Sequence, residues 1–141
     1  MLKHTLTHPE ILDALGRAGH GSKVLIADGN YPFSTGSNPA AQHVYLNLTR
    51  GFAPVDDVLA VLADAVVIEA AHIMMPQEGP QPPIFESFRR ILPADVELQG
   101  LERFAFYDAA RSQDIALVIA TGEQRIYANI LLTIGVVPQD D

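Results

Sequence analysis

The chain has 141 residues, of which 48% are apolar and 18% charged, with 17 acidic side chains against 9 basic ones, a formal net charge of −8, and neither Cys nor Trp. Without Cys there is no disulfide, thiolate zinc site, iron–sulfur cluster or cysteine nucleophile, and the acidic excess over scattered Arg argues against a phosphate backbone as partner. The length suits one domain, 1–141; no stretch approaches the roughly 18 uninterrupted apolar residues of a membrane span, and Met1-Leu2-Lys3-His4 opens no signal peptide, so a soluble cytoplasmic protein is expected.

Thr7-His8-Pro9-Glu10 predicts a helix start, since Pro fits the first helical position and Glu10 meets the positive end of the helix dipole. Ile11, Leu12, Leu15 and Ala18 follow at helical spacing, with Gly19 placed to supply a left-handed cap. Lys23 to Ala27 is short, continuous and apolar, the pattern of a strand buried on both faces of a parallel sheet. Asp28 to Ala40 is too rich in Gly, Pro, Asn and Ser for a regular element and is expected to be a long functional loop. Val44 to Leu48 alternates as a half-buried strand, Pro54 opens a second helix through Val58, Leu59 and Leu62, and Val66 to Met75 reads as another strand. Met75 to Pro83 is a proline-rich connection. Ile84, Phe85, Phe88, Ile91 and Leu92 give a third helix stopped by Pro93. Val96 to Leu98 is a short strand candidate, Phe104 to Arg111 a short helix, Ile115 to Ala120 a strand, and Tyr127 to Val137 a last apolar run. The tail Gln139-Asp140-Asp141 is read as solvated. Helices alternating with apolar strands predict an α/β layered sandwich with a mostly parallel sheet.

Three constellations carry chemistry. Gly19-His20-Gly21 precedes the first strand, and Asp28 follows it at the C-terminal edge, where open α/β sheets bind ligands. Five strand residues span roughly 17 Å, so His20 and Asp28 meet only if the turn folds back or a neighbouring chain completes the site. On spacing alone His20 reads more readily as a capping or surface residue. In the second, Tyr127 and Asn129 stand two apart; on an extended segment both point the same way toward a hydroxylated ligand, or else Tyr127 is an edge aromatic beside a turn. In the third, Arg103-Phe104-Ala105-Phe106-Tyr107, the functional reading has the Arg present a planar donor fork and the aromatics supply an apolar wall; the default for Phe104 and Tyr107, at i and i+3, is to face the core. Glu69-Ala70-Ala71-His72 has the spacing of half a di-iron motif, but the other half is missing and the segment reads as strand, so no metal is expected. The early glycines do not follow a strand and fail the context of a dinucleotide loop.

Together, Gly19-His20-Gly21, Val24 to Asp28 with Pro32, Arg103 to Tyr107, Thr121-Gly122-Glu123, Tyr127 to Leu132 and Gly135-Val136 resemble the RbsD/FucU family of sugar mutarotases over nearly the whole chain. The resemblance implies a homo-oligomer, pentamer rings commonly paired into decamers, with sites near subunit boundaries. It sets His20 at the catalytic histidine position, Asp28 at a sugar-binding aspartate, Arg103 at a ligand position that is Arg in the fucose branch, and Tyr127, Ala128 and Asn129 in the C-terminal binding segment. Tyr127 is taken as a second proton-transfer group. Ser22 stands where the family usually has Asp, and Gly29-Asn30-Tyr31-Pro32 departs from the fucose branch. The activity implied is mutarotation of a free monosaccharide such as L-fucose or D-ribose by acid–base ring opening, with or without pyranose–furanose exchange, and without metal or cofactor. The alternative, which Ser22 leaves open, is a non-catalytic sugar-binding accessory of a transport or catabolic system.

Overall fold

A computed structural model of the chain describes residues 1–140, so the tail's last residue, Asp141, lies outside the described residues. The elements are α1 (Pro9–Arg17), β1 (Lys23–Ala27), β2 (Gln42–Tyr45), α2 (Val55–Ala65), β3 (Ile68–Met74), α3 (Ile84–Ile91), β4 (Leu98–Leu101), α4 (Arg103–Ala110), β5 (Ile115–Ala120) and β6 (Ile130–Ile134). The strands form one six-stranded sheet in the order β2-β5-β1-β6-β3-β4. β1 pairs parallel with β5, β5 with β2 and β3 with β4, whereas β6 is antiparallel to both β1 and β3. The sheet is therefore mostly parallel, with one reversed strand in its middle.

Side-chain alternation sorts the strand residues onto two faces. Val24, Ile26, Ile73, Ile119, Ile130 and Leu132 bury against α1, α2 and α3. Leu25, Ala27, Met74, Val118 and Leu131 face the other way, against Phe106 and Ala110 of α4 and Tyr31 of the loop after β1. Strands covered on both faces must be apolar throughout, which is why β1 and β5 read as unbroken runs. Among the described residues, no helix is long and apolar enough to cross a membrane.

The structure corrects several expected boundaries. α1 is capped by His8, whose Nδ1 accepts from the Ile11 N–H at 3.4 Å. At its other end the chain leaves through Ala18 in extended conformation, so Gly19 supplies no left-handed cap. The left-handed residue is Gly21, at φ 86°, where the turn into β1 is tied down by a bond from the Gly21 N–H to the Ile134 carbonyl. β2 stops at Tyr45 because its partner β5 ends at Ala120, which leaves Leu48 exposed. β4 lies C-terminal to the expected Val96–Leu98 position. Its register is set by pairing with Ala71–Met74, and Val96 is held in a turn by the Pro93 carbonyl. Only Ile130–Ile134 of the last apolar run is strand.

Candidate functional site

The reversed direction of β6 makes the site. Ile26 of β1 stands opposite Ile130 of β6, so the residues leaving the C-terminal end of β1 meet those entering β6. Asp28 and Asn129 are thereby joined although 101 positions separate them. The Asp28 N–H donates to Asn129 Oδ1 at 2.7 Å, and Asn129 Nδ2 donates back to Asp28 Oδ2 at 3.3 Å. The same oxygen accepts from the Ala128 N–H at 3.2 Å, and Oδ1 from the Asn30 N–H at 3.0 Å. Burial pushes the Asp28 carboxyl up, and the N–H bonds from Asn30 and Ala128 reverse this only in part, so its pKa lies above the ordinary aspartate value. A desolvated acid beside a cavity is a candidate functional group.

That cavity, about 230 Å³, is lined by Asp28, Asn30, Tyr31, Met74, Arg103, Tyr107, Ile126, Tyr127 and Asn129. It is smaller than the roughly 300–1,000 Å³ of pockets for drug-sized ligands and suits a single small ring. Arg103 is the first residue of α4, whose cap Glu102 accepts from the Ala105 N–H at 2.7 Å. The guanidinium lies 5.8 Å from the Tyr107 ring centroid, and the Tyr107 and Tyr31 rings are 5.5 Å apart. A carboxylate acceptor, a carboxamide, a guanidinium fork and a phenol thus surround an apolar floor, the complement of a small polyol with one less polar face.

The structure brings Asp28, Arg103, Tyr127 and Asn129 to one cavity, while Ala128 is buried beneath it and contributes its N–H to Asp28. The pair Tyr127 and Asn129 does not converge through an extended segment as expected: Tyr127 lies in a turn, at φ 58°. Nor do Phe104 and Tyr107 both face the core. α4 packs on the sheet through Phe106 and Ala110, which leaves Phe104 66% exposed and puts Tyr107 on the cavity wall. His20 is not brought to this cavity. Its turn is fixed to the other end of β6 and does not fold back, and its side chain is 59% exposed and paired with Glu69 at 3.0 Å. Asn30, Tyr31 and Met74 were not singled out from the sequence, and Tyr107 was expected in the core. Tyr31 and Asn30 lie in the loop whose composition marks it as functional, and Tyr107 differs from a core aromatic only by its phase on α4.

A family model described as the RbsD / FucU transport protein family matches residues 1–137. The chain is 33% identical to a fucose mutarotase of Bos taurus, over 96% of this chain and 93% of that one. It is 32% identical to a D-ribose pyranase of Geobacillus kaustophilus, over 96% and 95% respectively. Among solved structures it is similar to Bacillus subtilis RbsD complexed with D-ribose, with a TM-score of 0.84 at 25% identity, covering 98% of this chain and 100% of that one. It is also similar to a fucose mutarotase of Streptococcus pneumoniae in complex with L-fucose, with a TM-score of 0.81 at 25% identity, over 97% and 100%.

Proposed function

Because this chain belongs to the RbsD/FucU family, we propose that its cavity receives a free monosaccharide and that the protein is a monosaccharide mutarotase, an isomerase. The observation that carries this is the meeting of Asp28, Asn129, Arg103 and Tyr127 around one small cavity in a chain whose relatives include both a fucose mutarotase and a D-ribose pyranase.

Mutarotation needs ring opening and reclosure. A base removes the proton from the anomeric hydroxyl, the bond from the anomeric carbon to the ring oxygen breaks, and an acid protonates that oxygen. Rotation about the adjacent carbon–carbon bond and return of both protons close the ring on the other face, with no net change in composition. Asp28, Arg103 and Asn129 hold hydroxyls and so fix which oxygen meets the proton-transfer groups. Tyr127 is one such group and His20 the other. Well-placed acid–base groups contribute about 10²–10⁴-fold, enough for a reaction that already runs slowly in water.

In this reading His20 enters from a neighbouring copy of the chain in a cytoplasmic homo-oligomer. Support comes from the exposed imidazole, and from Phe104 and Ile126, large apolar side chains left exposed beside Arg103 and Tyr127. The aliphatic and aromatic lining beside Arg103 favours a deoxy sugar such as L-fucose over D-ribose.

Saturation transfer between the anomeric protons of L-fucose, and separately of D-ribose, tests the function. Catalytic amounts of protein are expected to accelerate exchange, and Asp28→Asn to abolish it. Sugar binding without accelerated exchange would overturn the assignment in favour of a binding accessory.

A further inference from the structure

At the opposite end of β6 the same antiparallel geometry builds a second polar contact. The turn before β1 carries His20, β3 carries Glu69, and β6 runs between them. The imidazole nevertheless reaches across the intervening strand: Nε2 lies 3.0 Å from one Glu69 carboxylate oxygen and 3.1 Å from the other. Two features make this possible. The turn is pinned to the end of β6 by the bonds from the Gly21 N–H to the Ile134 carbonyl and from the Ile134 N–H to the Ser22 carbonyl, each 2.9 Å. At the crossing point stands Gly135, whose N–H binds the Val67 carbonyl at 2.8 Å. A side chain there would place its Cβ 2.9 Å from Val67 Cγ1 and 3.2 Å from Glu69 Cβ. The chain just past β6 therefore carries no side chain that would crowd Glu69. Ser22 takes no part in this contact; its hydroxyl accepts from the Gly19 N–H at 3.3 Å.

The geometry points to Glu69 as the positioning residue of His20. The inference rests on the reading of His20 as a proton-transfer group. A carboxylate only accepts, so it selects the neutral tautomer with the proton on Nε2 and leaves the lone pair on Nδ1. Among the described residues no side chain engages Nδ1. Glu69 thereby decides which nitrogen faces the sugar of a neighbouring protomer and holds the ring's plane, as a carboxylate behind a catalytic histidine does in unrelated enzymes. In this role Glu69 acts through His20, so its removal acts on turnover and not on binding.

The test compares Glu69→Ala, Glu69→Gln and His20→Ala with the wild type, using anomeric exchange of L-fucose together with 15N-edited spectra of the His20 ring. Removing a partner of this kind costs about 10- to 100-fold, and because the pair is half exposed the lower end is expected, about tenfold in kcat with KM within about twofold. The ring nitrogen shifts are expected to move from a predominantly Nε2–H tautomer to a mixture in Glu69→Ala. Gly135→Ala, which crowds the pair without altering either member, is expected to give the same loss of kcat. An inactive His20→Ala beside a fully active Glu69→Ala overturns the role of Glu69 alone, as does an unaltered tautomer in Glu69→Ala. A His20→Ala variant with wild-type exchange overturns the reading of His20 itself, and the role of Glu69 with it.

Discussion

Tyr127 holds a backbone conformation, φ 58°, that L residues other than Asn and Asp rarely adopt. Such a conformation costs on the order of 1–3 kcal/mol and persists only where its surroundings fix it, typically at functional sites. Here the cause lies in the two residues that follow and their bonds to Asp28. Ala128 must turn its N–H toward Asp28 Oδ2, and Asn129 must bond the Asp28 main chain before β6 begins. The chain reverses at Tyr127 to meet both demands, and the phenol is carried onto the cavity wall. Phe at this position keeps the ring packing and removes only the hydroxyl. Tyr127→Phe is therefore expected to unfold in urea within about 0.5 kcal/mol of the wild type while losing roughly 10²-fold in exchange rate, measured by saturation transfer. Equal loss of stability and activity would mark Tyr127 as a packing residue instead. Asp28 was legible from its place after a buried strand. The turn at Tyr127 was not, because no local propensity favours it; the demand comes from a residue 100 positions away.

At the scale of elements, the segment that carries Tyr127 is latched to α2. Glu123, buried, accepts the Val55 N–H at the start of α2 with Oε2 at 3.0 Å. Arg125 donates to Glu123 Oε2 and to Asp56 Oδ1, each at 2.7 Å, and Ser87 of α3 donates to Asp56 Oδ2 at 2.8 Å. Burial pushes both carboxyls up, but the bonds from Arg125 and its charge outweigh it, and both pKa values lie below their ordinary positions. A carboxyl whose pKa is lower folded than unfolded binds protons more tightly in the unfolded chain. The latch thus stabilises fully above the unfolded values of about 4 to 4.5 and fades as pH falls through the lower folded values. Arg125 is 47% exposed, so screening limits the effect; Arg125→Ala is expected to cost about 1–2 kcal/mol at pH 7, mostly from leaving Glu123 unpaired. In urea titrations at pH 7 and pH 3, the gap between variant and wild type is expected to shrink at the lower pH. A constant gap would mean that Arg125 acts through packing alone. The periodicity of the sequence placed the helices and β5 because their burial is dictated by their own side chains. It misplaced β4 and overextended β2, since a strand ends where its partner ends and the partner lies far away in sequence.

For the whole molecule, one reversed strand sets the polar contacts at both ends of the sheet. β6 brings Asn129 to Asp28 at one end and, through Gly135, allows His20 to reach Glu69 at the other. The two groups of residues lie at opposite ends of the central strands, so a site containing both His20 and Asp28 needs two copies of the chain. A closed ring with head-to-tail contacts supplies such a pairing at every interface. Mixing separately inactive His20→Ala and Asp28→Asn proteins, after dissociation and reassembly, is therefore expected to restore exchange. With equal amounts and random assembly, about one quarter of the interfaces carry both intact residues. Failure to recover any activity, with oligomers confirmed by light scattering, would exclude a shared site.

The sequence alone determined the α/β class, the position of Asp28 at a strand's C-terminal edge and the candidate residues, because these follow from local periodicity, turn chemistry and motifs carried by neighbouring residues. Only the tertiary structure decided which of those residues meet. Strand order and the reversal of β6 are settled by pairing between segments far apart in the chain, and that pairing joins Asn129 to Asp28 while holding His20 with Glu69 at the other end of the sheet.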